Sequence, residues 1–585
     1  MDGWMNALTL IGGLALFLFG MNVMGEALEK RAGGQMKKIL NSLTRNKFFG
    51  LLLGMGVTAV IQSSSATTVM VVGFVNSGLM NLSQAIPVIM GANIGTTITS
   101  WILSLTGIDG SGFFVQMLKP ANFTPILALI GVVLYLFIKD SKKKDTGLIL
   151  LGFATLMFGM DMMSDAVKPL AQVEEFRNLF LMFENPILGV LVGAAVTAII
   201  QSSSASVGIL QALSATGQIS VGATIPIIMG QNIGTCVTAL LSSVGTTKNA
   251  RRAAMVHLYF NIIGTAVMLI LFYGANVIFD FAFVDSTASQ TSIAICHTIF
   301  NIACTALLFP FNRGLEKLAD MTVRDSKRGE HVEMLDERLL ETPTIAIQRC
   351  HDVAVSMADI CAVSLKNSLG QLVDFDRKQS EVIRKQEDQV DEYEDMIGTY
   401  LVRINSRNMS EEDSREATKL LHLIGDFERL SDHAVSIIAS MEEMDDKSIH
   451  FSEQANEELR VMGEAVAEIM DLTYTAFRDN DLKAAVAVEP LEEVIDELKD
   501  KMRAGHIRRV QSGVCTIELG FIFSDLLTSL ERVSDHCASI ARCIIEISHD
   551  GLSVHEYMRG LDANQQAVFA NNFRRFREKY TIAAN

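Results

Sequence analysis

Up to Asn312 the chain alternates long apolar stretches with short polar ones. The apolar stretches run from Ala7 to Ala27, Ile86 to Leu105, Pro125 to Ile138, Gly147 to Met163, Ile225 to Val244, Met255 to Phe272 and Ile293 to Phe309. Most approach the ~20 residues that carry a helix across about 30 Å of hydrocarbon. The first lacks a basic start and a small-residue cleavage pattern, so it is expected to remain as a helix. Two further apolar segments, Phe48 to Gly78 and Ile187 to Gly217, are too long for plain spans and are broken in the middle by Gln-Ser-Ser-Ser, at Gln62 and Gln201. Gly50, Gly54, Gly56, Gly73 and Gly78 punctuate the first. Both segments are predicted to be re-entrant hairpins that dip in and return. Beyond Thr342 the pattern becomes charged amphipathic helix with little proline.

The membrane half is duplicated. "LFGMNVM" from Leu18 recurs as "MFGMDMM" from Met157, Gln62 recurs as Gln201, and "PVIMGANIGTT" from Pro87 recurs as "PIIMGQNIGTC" from Pro226, each at an offset of 139 residues. The loop charges swap between the copies. Lys30, Arg31, Lys37, Lys38, Arg45 and Lys47 follow the first span, whereas Glu174, Glu175, Glu184 and a single Arg177 follow its counterpart. Lys119 is alone in its loop, while Lys248, Arg251 and Arg252 fill the equivalent one. Positive loops stay inside, so equivalent loops face opposite sides, and three crossings per unit make the repeats inverted. The unpaired span at Ile293 to Phe309 then delivers the rest of the chain to the cytoplasm.

Charge separates the halves. Of a net −17 at pH 7, residues up to Asn312 carry about +3 and the remainder about −20, although the whole chain is 49% hydrophobic with a mean hydropathy of +0.30. The eight cysteines show no C-x-x-C pairing and read as free thiols of a reducing compartment.

Non-helical backbone at membrane depth is tolerated only where protein or a water-filled cavity satisfies its polar groups. Gln62, Ser63, Ser64, Ser65, Thr67 and Thr68, with Gln201, Ser202, Ser203, Ser204 and Ser206, are therefore expected to line a cavity. Behind each hairpin comes "NIGT", with Asn93 and Thr96 in one copy and Asn232 and Thr235 in the other. Its glycine (Gly95, Gly234) is expected to break the helix. Exposed helix N-termini attract anions, while freed carbonyls and hydroxyls ligate a small hard cation. No Lys or Arg lies in these motifs, which points to a cation-coupled anion carrier. Simple helix packing through small residues is the bland alternative. An intramembrane serine hydrolase with His257 or His297 as base is another, disfavoured because no G-x-S-x-G elbow is present. No catalytic residue is assigned.

The paired "QSSSA" hairpins, each followed by "GxNIGT", resemble the type II sodium-dependent phosphate cotransporter family over about residues 1 to 310. The resemblance implies sodium-coupled transport of inorganic phosphate. Its phosphate-binding residues would be Gln62, Ser63, Ser64, Ser65, Gln201, Ser202, Ser203, Ser204, Asn93 and Asn232. Thr58 and Thr197, each four residues before the glutamine, match family positions that bind sodium. The sodium set expected is Thr58, Thr67, Thr96, Thr197, Ser206 and Thr235.

The acidic half is duplicated too. "FERLSDHAVSI" from Phe427 matches "LERVSDHCASI" from Leu530, and "EDQVD" from Glu387 matches "EEVID" from Glu492. Glu387 and Asp391, Glu428 and Asp432, Glu492 and Asp496, and Glu531 and Asp535 are i,i+4 pairs that put two carboxylates on one helix face, either a solvated face or the ligands of a hard divalent metal. This half resembles the PhoU phosphate-regulatory domain, two three-helix bundles with E-x-x-x-D and E-R-x-x-D-H signatures. The resemblance implies iron or manganese at those eight carboxylates and regulation by phosphate status.

The expected protein is all-α and polytopic. Residues 1–139 and 140–278 form the inverted repeats with two re-entrant hairpins, and 279–312 the additional helix. A linker at 313–342 leads to a cytoplasmic PhoU-like domain of two three-helix bundles at 343–548 and a tail at 549–585. It is expected to be a multi-pass protein of the cell membrane that moves phosphate with sodium by alternating access. A membrane-bound phosphate sensor without net transport is the alternative. A nucleic-acid partner is not expected, and homo-oligomerisation is left open.

Overall fold

Two left-handed glutamines interrupt the helices of the membrane half where a span would otherwise continue. Gln62 has φ 60° and Gln201 φ 59°, a backbone conformation in which residues other than glycine are uncommon. The computed structural model describes residues 2–41, 46–107, 119–174, 185–323, 335–407, 409–548 and 563–582. These are helical apart from turns and one isolated bridge, Ser220 to Thr287. The chain divides into two units, Met1–Ile345 and Ala346–Asn585.

In the first unit, repeat 1 comprises α1 (Asp2–Asn41), α2 (Lys47–Ile61), α3 (Ser64–Asn76), α4 (Leu82–Ser104) and α5 (Pro120–Phe137). Repeat 2 comprises α6 (Ser141–Val167), α7 (Pro186–Ile200), α8 (Ser203–Ser214), α9 (Val221–Ser242) and α10 (Lys248–Phe279). Then come α11 (Gln290–Leu308) and α12 (Asn312–Thr322). Helices α1, α4, α6, α9, α10 and the run from α11 to Thr322 are long and apolar enough to cross a membrane. The remaining expected crossing, α5, has 18 residues, or about 27 Å at 1.5 Å per residue. The hairpin helices α2, α3, α7 and α8, of 15, 13, 15 and 12 residues, are too short to cross alone.

The inversion is visible in what each hairpin meets. The first hairpin ends at Asn76, whose Oδ1 accepts from Thr247 N (2.8 Å) at the start of α10. The chain leaving the second hairpin pairs instead with the segment beyond the far end of α10. Val221 N donates to Ser286 O (2.9 Å), and Ala288 N to Ile219 O (2.8 Å). Because α10 is 32 residues long, the hairpins open on opposite sides. Arg31 donates to Lys142 O (2.9 Å), so the basic end of α1 and the basic segment Lys139–Asp145 share a side.

Two expectations need correction. The basic residues after the first span were expected in a loop, but α1 continues to Asn41 and carries Lys30, Arg31, Lys37 and Lys38 on helix. Arg45, Glu175, Arg177 and Glu184 lie outside the described residues, as do 324–334 of the linker and 549–562 of the tail. Second, Gly95 and Gly234 do not break their helices: α4 and α9 run through them unbroken. These glycines serve close approach. A β-carbon on Gly95 would lie 2.5 Å from Met55 O, and one on Gly234 2.5 Å from Ala194 O, so any side chain would push α4 off α2 and α9 off α7.

The second unit contains α13 (Pro343–Gln371) from Ala346 onward, α14 (Arg377–Asn405) and α15 (Glu411–Lys447), then α16 (Glu453–Asp479), α17 (Leu482–Gln511) and α18 (Ile517–Ser548). They form two three-helix bundles. Asp376, Ser410, Ser452 and Asp481 cap the starts of α14 to α17 by accepting from early backbone amides. Phe427, Leu430, Leu526 and Leu530 are fully buried where α15 meets α18. The tail carries α19 (Ala563–Lys579), which packs on α17 with Phe576 buried and Arg577 Nε 3.1 Å from Glu497. All eight cysteines are free.

Candidate functional site

At each hairpin tip a helix ends, one residue turns left-handed, and a new helix begins. Gln62 N donates to Thr58 O (2.8 Å) and Gln201 N to Thr197 O (2.7 Å), closing α2 and α7. Ser63 and Ser202 are then N-caps. Their hydroxyls accept from Ala66 N (3.1 Å) and Ala205 N (3.2 Å). The first amides of α3 and α8, starting at Ser64 and Ser203, therefore point out of the helix without helical acceptors. The helix break that sequence reasoning placed at the NIGT glycines lies here, at the Gln-Ser step.

The repeats interlock through the second helix of each hairpin. Helix α3 packs against α9 of the other repeat, and α8 packs against α4. Gln211 of α8 donates to Ser100 O on α4 and to Gln290 O on α11 (both 3.0 Å), fastening the crossing. His297 of α11 lies 2.6 Å from Ser100 Oγ through Nδ1, so this histidine braces α4 rather than a hairpin serine.

The candidate side chains divide by repeat. The Gln62 carboxamide is buried and clamped, accepting from Thr99 Oγ1 (2.7 Å) and donating to Ala59 O. Gln201 is exposed, and Thr238, equivalent to Thr99, spends its hydroxyl on Thr235 O (2.9 Å). Thr58 Oγ1 donates to Thr67 Oγ1 (3.0 Å), which donates to Ser63 O (3.0 Å). Their counterparts, Thr197 Oγ1 and Ser206 Oγ, are buried without a hydrogen-bond partner. So are Asn93 Nδ2, Asn232 Nδ2 and Gln231 Oε1. Thr96 and Thr235 donate to carbonyls of their own helices, Ala92 O (3.1 Å) and Gln231 O (2.9 Å). Ser64, Ser203 and Ser204 are buried, while Ser63, Ser65 and Ser202 are half-buried. Sequence reasoning missed Thr99 and Gln211, since nothing local shows that residues so far apart will meet.

In the second unit the carboxylate pairs face one another across neighbouring helices. Ligand atoms of Glu387, Asp391 and Asp432 all lie within 4.8 Å of each other. Burial first, then the charges of Asp391 and Asp432, raises the Glu387 carboxyl above its ordinary range. Burial, then Asp432 and Asp391, does the same to Glu428. In the second copy burial, followed by Asp496 and Asp535, pushes Glu492 up to about 7. There Lys499 forms an ion pair with Glu531, at a position where the first copy has Glu394. The histidines stand between the copies. The His433 and His536 rings lie side by side, tilted by 30° with centroids 5.7 Å apart, and His536 Nδ1 lies 2.9 Å from Asp426 Oδ1.

A polytopic helical protein with inverted repeats, paired half-membrane hairpins and an appended acidic double bundle is a carrier-type membrane protein with a regulatory-type domain. The Na+/Pi-cotransporter family matches residues 16–165 and 155–287, and the PhoU domain family matches 354–441 and 459–544. "Uncharacterized protein YqeW" of Bacillus subtilis is 30% identical over 299 residues, 51% of this chain and 91% of its own length. "Putative inorganic phosphate export protein YjbB" of Escherichia coli K12 is 25% identical over 566 residues, 94% of this chain and 100% of its own length. "Sodium-dependent phosphate transport protein 2A" of Rattus norvegicus is 40% identical over 98 residues, 16% of this chain and 15% of its own length. The chain belongs to the Na+/Pi-cotransporter family and carries a C-terminal PhoU domain.

Proposed function

We propose that this protein couples sodium to the movement of inorganic phosphate across a cell membrane by alternating access, under control of a cytoplasmic PhoU domain. The observation that carries this reading is the set of orphaned buried polar atoms on the second hairpin, Thr197 Oγ1 and Ser206 Oγ, and on the helices α4 and α9 that pack against the hairpins, Asn93 Nδ2, Gln231 Oε1 and Asn232 Nδ2. Buried polar groups without partners are costly, so orphans on a hairpin and on the helices packed against both hairpins fit a site completed by its cargo. Amides and carboxamide N–H groups suit a phosphate oxygen; hydroxyl and carboxamide oxygens suit Na+. Gln62, Ser63, Ser64, Ser65, Asn93 and their counterparts Gln201, Ser202, Ser203, Ser204 and Asn232 hold phosphate. Thr58, Thr67, Thr96, Thr197, Ser206 and Thr235 supply the hydroxyls for sodium, with Thr197 and Ser206 the pair left unpaired. The Glu387, Asp391 and Asp432 cluster supports a divalent metal, iron or manganese, as the PhoU domain's ligand, with Glu428 beside it and Glu492, Asp496, Glu531 and Asp535 as the second set. The rat relative's name carries sodium dependence and the E. coli relative's name carries export; the two-sided carrier geometry accommodates either direction. Phosphate flux in proteoliposomes with a sodium gradient, compared with a choline gradient and measured in both directions, tests the reading. Equal flux under both cations removes sodium coupling, and phosphate binding without flux in either direction makes the protein a sensor.

A further inference from the structure

Residues 335–342, just before α13, lie against the membrane unit, and one of their charges, Asp336, is buried there. Asp336 is 0% exposed, and its Oδ2 accepts from Asn76 Nδ2 at 2.6 Å. The same carboxylate is forked by Arg338, whose Nη1 lies 2.9 Å from Oδ2 and 3.1 Å from Oδ1. Arg338 also donates through Nε to Ser242 O (2.5 Å) and through Nη2 to Val244 O (3.3 Å), satisfying carbonyls at the C-terminal end of α9. Leu339 is 0% exposed and sits over Gly73, where a β-carbon would come within 3.1 Å of Leu339 Cδ2.

One ion pair therefore grips both repeats. Asp336 holds Asn76 at the end of α3, in repeat 1, and Arg338 holds the end of α9, in repeat 2. Asn76 in turn accepts from Thr247 N at the start of α10. The two repeats differ at the contact positions. At the 139-residue offset Gly73 and Asn76 become Ala212 and Ala215, so the first hairpin departs from its twin where the segment lands. Helix α3 runs only 13 residues from Ser64, at the hairpin tip, to Asn76. In the other direction only Thr342 separates the Glu337–Glu341 turn from Pro343, where α13 begins.

We propose that Asp336–Leu340 is a releasable brace and that its docking surface, the ends of α3 and α9 with the start of α10, is the place where the PhoU domain acts on the carrier. The inference rests on the transport reading above. Alternating access requires one repeat to move against the other, and a segment bonded to both opposes that motion while it is seated. Tension or slack at Pro343 shifts the seated population, so a change in the PhoU domain is felt at α3 and hence at Ser63 and Ser64.

The test uses the full chain in proteoliposomes, with Asn76→Ala and Asp336→Asn, neither of which touches a hairpin tip. Asn76→Ala installs the residue that the second repeat carries at the equivalent place. Hydrogen exchange in both variants should speed by about tenfold or more at 335–342, as expected for losing one buried partner, and should also speed at 62–68. Sodium-driven phosphate flux should rise, with its KM for phosphate unchanged within about twofold, and its response to internal phosphate or Mn2+ should vanish. Unchanged exchange at 62–68 overturns the brace, even in a protein that transports normally. Faster exchange at both places with wild-type flux and wild-type response also overturns it. Faster exchange at both places in a protein that moves no phosphate even as wild type overturns the transport reading and leaves the brace standing.

Discussion

A β-carbon on Gly159 would lie 2.6 Å from the carbonyl oxygen of Gly13, and one on Gly13 would lie 3.0 Å from that of Gly159. Gly20 and Gly152 repeat the relation, at 2.6 Å and 2.8 Å. At the 139-residue offset Gly13 corresponds to Gly152 and Gly20 to Gly159, so α1 and α6 cross antiparallel about a pseudo-two-fold axis, each offering the other the same face. Such a crossing has no room for a side chain. Gly159→Leu should therefore separate α1 from α6 and cost several kcal/mol, seen as loss of monodisperse protein in detergent. Gly274→Leu, where a β-carbon meets nothing within 4 Å, should be tolerated.

The left-handed glutamines allow a substitution that separates backbone from side chain. Glycine adopts φ near 60° without strain, so Gln62→Gly and Gln201→Gly should keep the hairpins and relieve ~1 kcal/mol of backbone cost. If the carboxamides bind cargo, both variants fold normally yet lose most sodium-dependent phosphate flux. Wild-type flux in both would reduce the glutamines to turn residues.

The unequal hydroxyls predict unequal sodium effects. Thr197 Oγ1 and Ser206 Oγ lack partners, whereas Thr58 and Thr67 bond to each other. Thr197→Val should raise the sodium concentration needed for half-maximal flux by about tenfold, roughly 1.4 kcal/mol, and more than Thr58→Val does. Sodium titrations of flux for the two variants decide it, and an equal effect would contradict the asymmetry.

Glu492 ties stability to pH. Its carboxyl titrates near 7 when folded and near 4.5 ordinarily, so the folded state holds the proton more tightly. Its contribution is fully present below about pH 4.5 and is lost as pH rises to about 7. Hydrogen exchange across α17 and α18 in metal-free protein should quicken over that window, and Glu492→Gln should flatten the dependence. A slope unchanged in the variant would assign it to other groups.

The two acidic clusters should differ in metal affinity. Lys499 already places a positive charge on Glu531, while the first copy has Glu394 at that position and three ligand atoms within 4.8 Å. Asp391→Asn should remove the tighter Mn2+ site in calorimetric titrations of the full chain, and Glu531→Gln should leave it. Equal loss in both would mean that the clusters act together.

Much of this protein was legible in its sequence because duplication prints itself as a constant offset, and because lipid enforces apolar length and charge sidedness. The 139-residue repeat, the inversion, the hairpins at Gln62 and Gln201 and the carboxylate pairs all follow from local pattern. Only tertiary structure decided the rest. Gly95 reads as a helix breaker until α2 is seen pressed against it, since a missing side chain serves flexibility and close packing alike. Thr99 and Gln62 lie 37 residues apart and Asn76 and Asp336 260 apart, with nothing local to pair them. The split between bonded Thr58 and orphaned Thr197 is likewise invisible in two identical letters. Identical residues take different roles when long-range packing gives them different neighbours, and those neighbours are chosen by how the two repeats interlock.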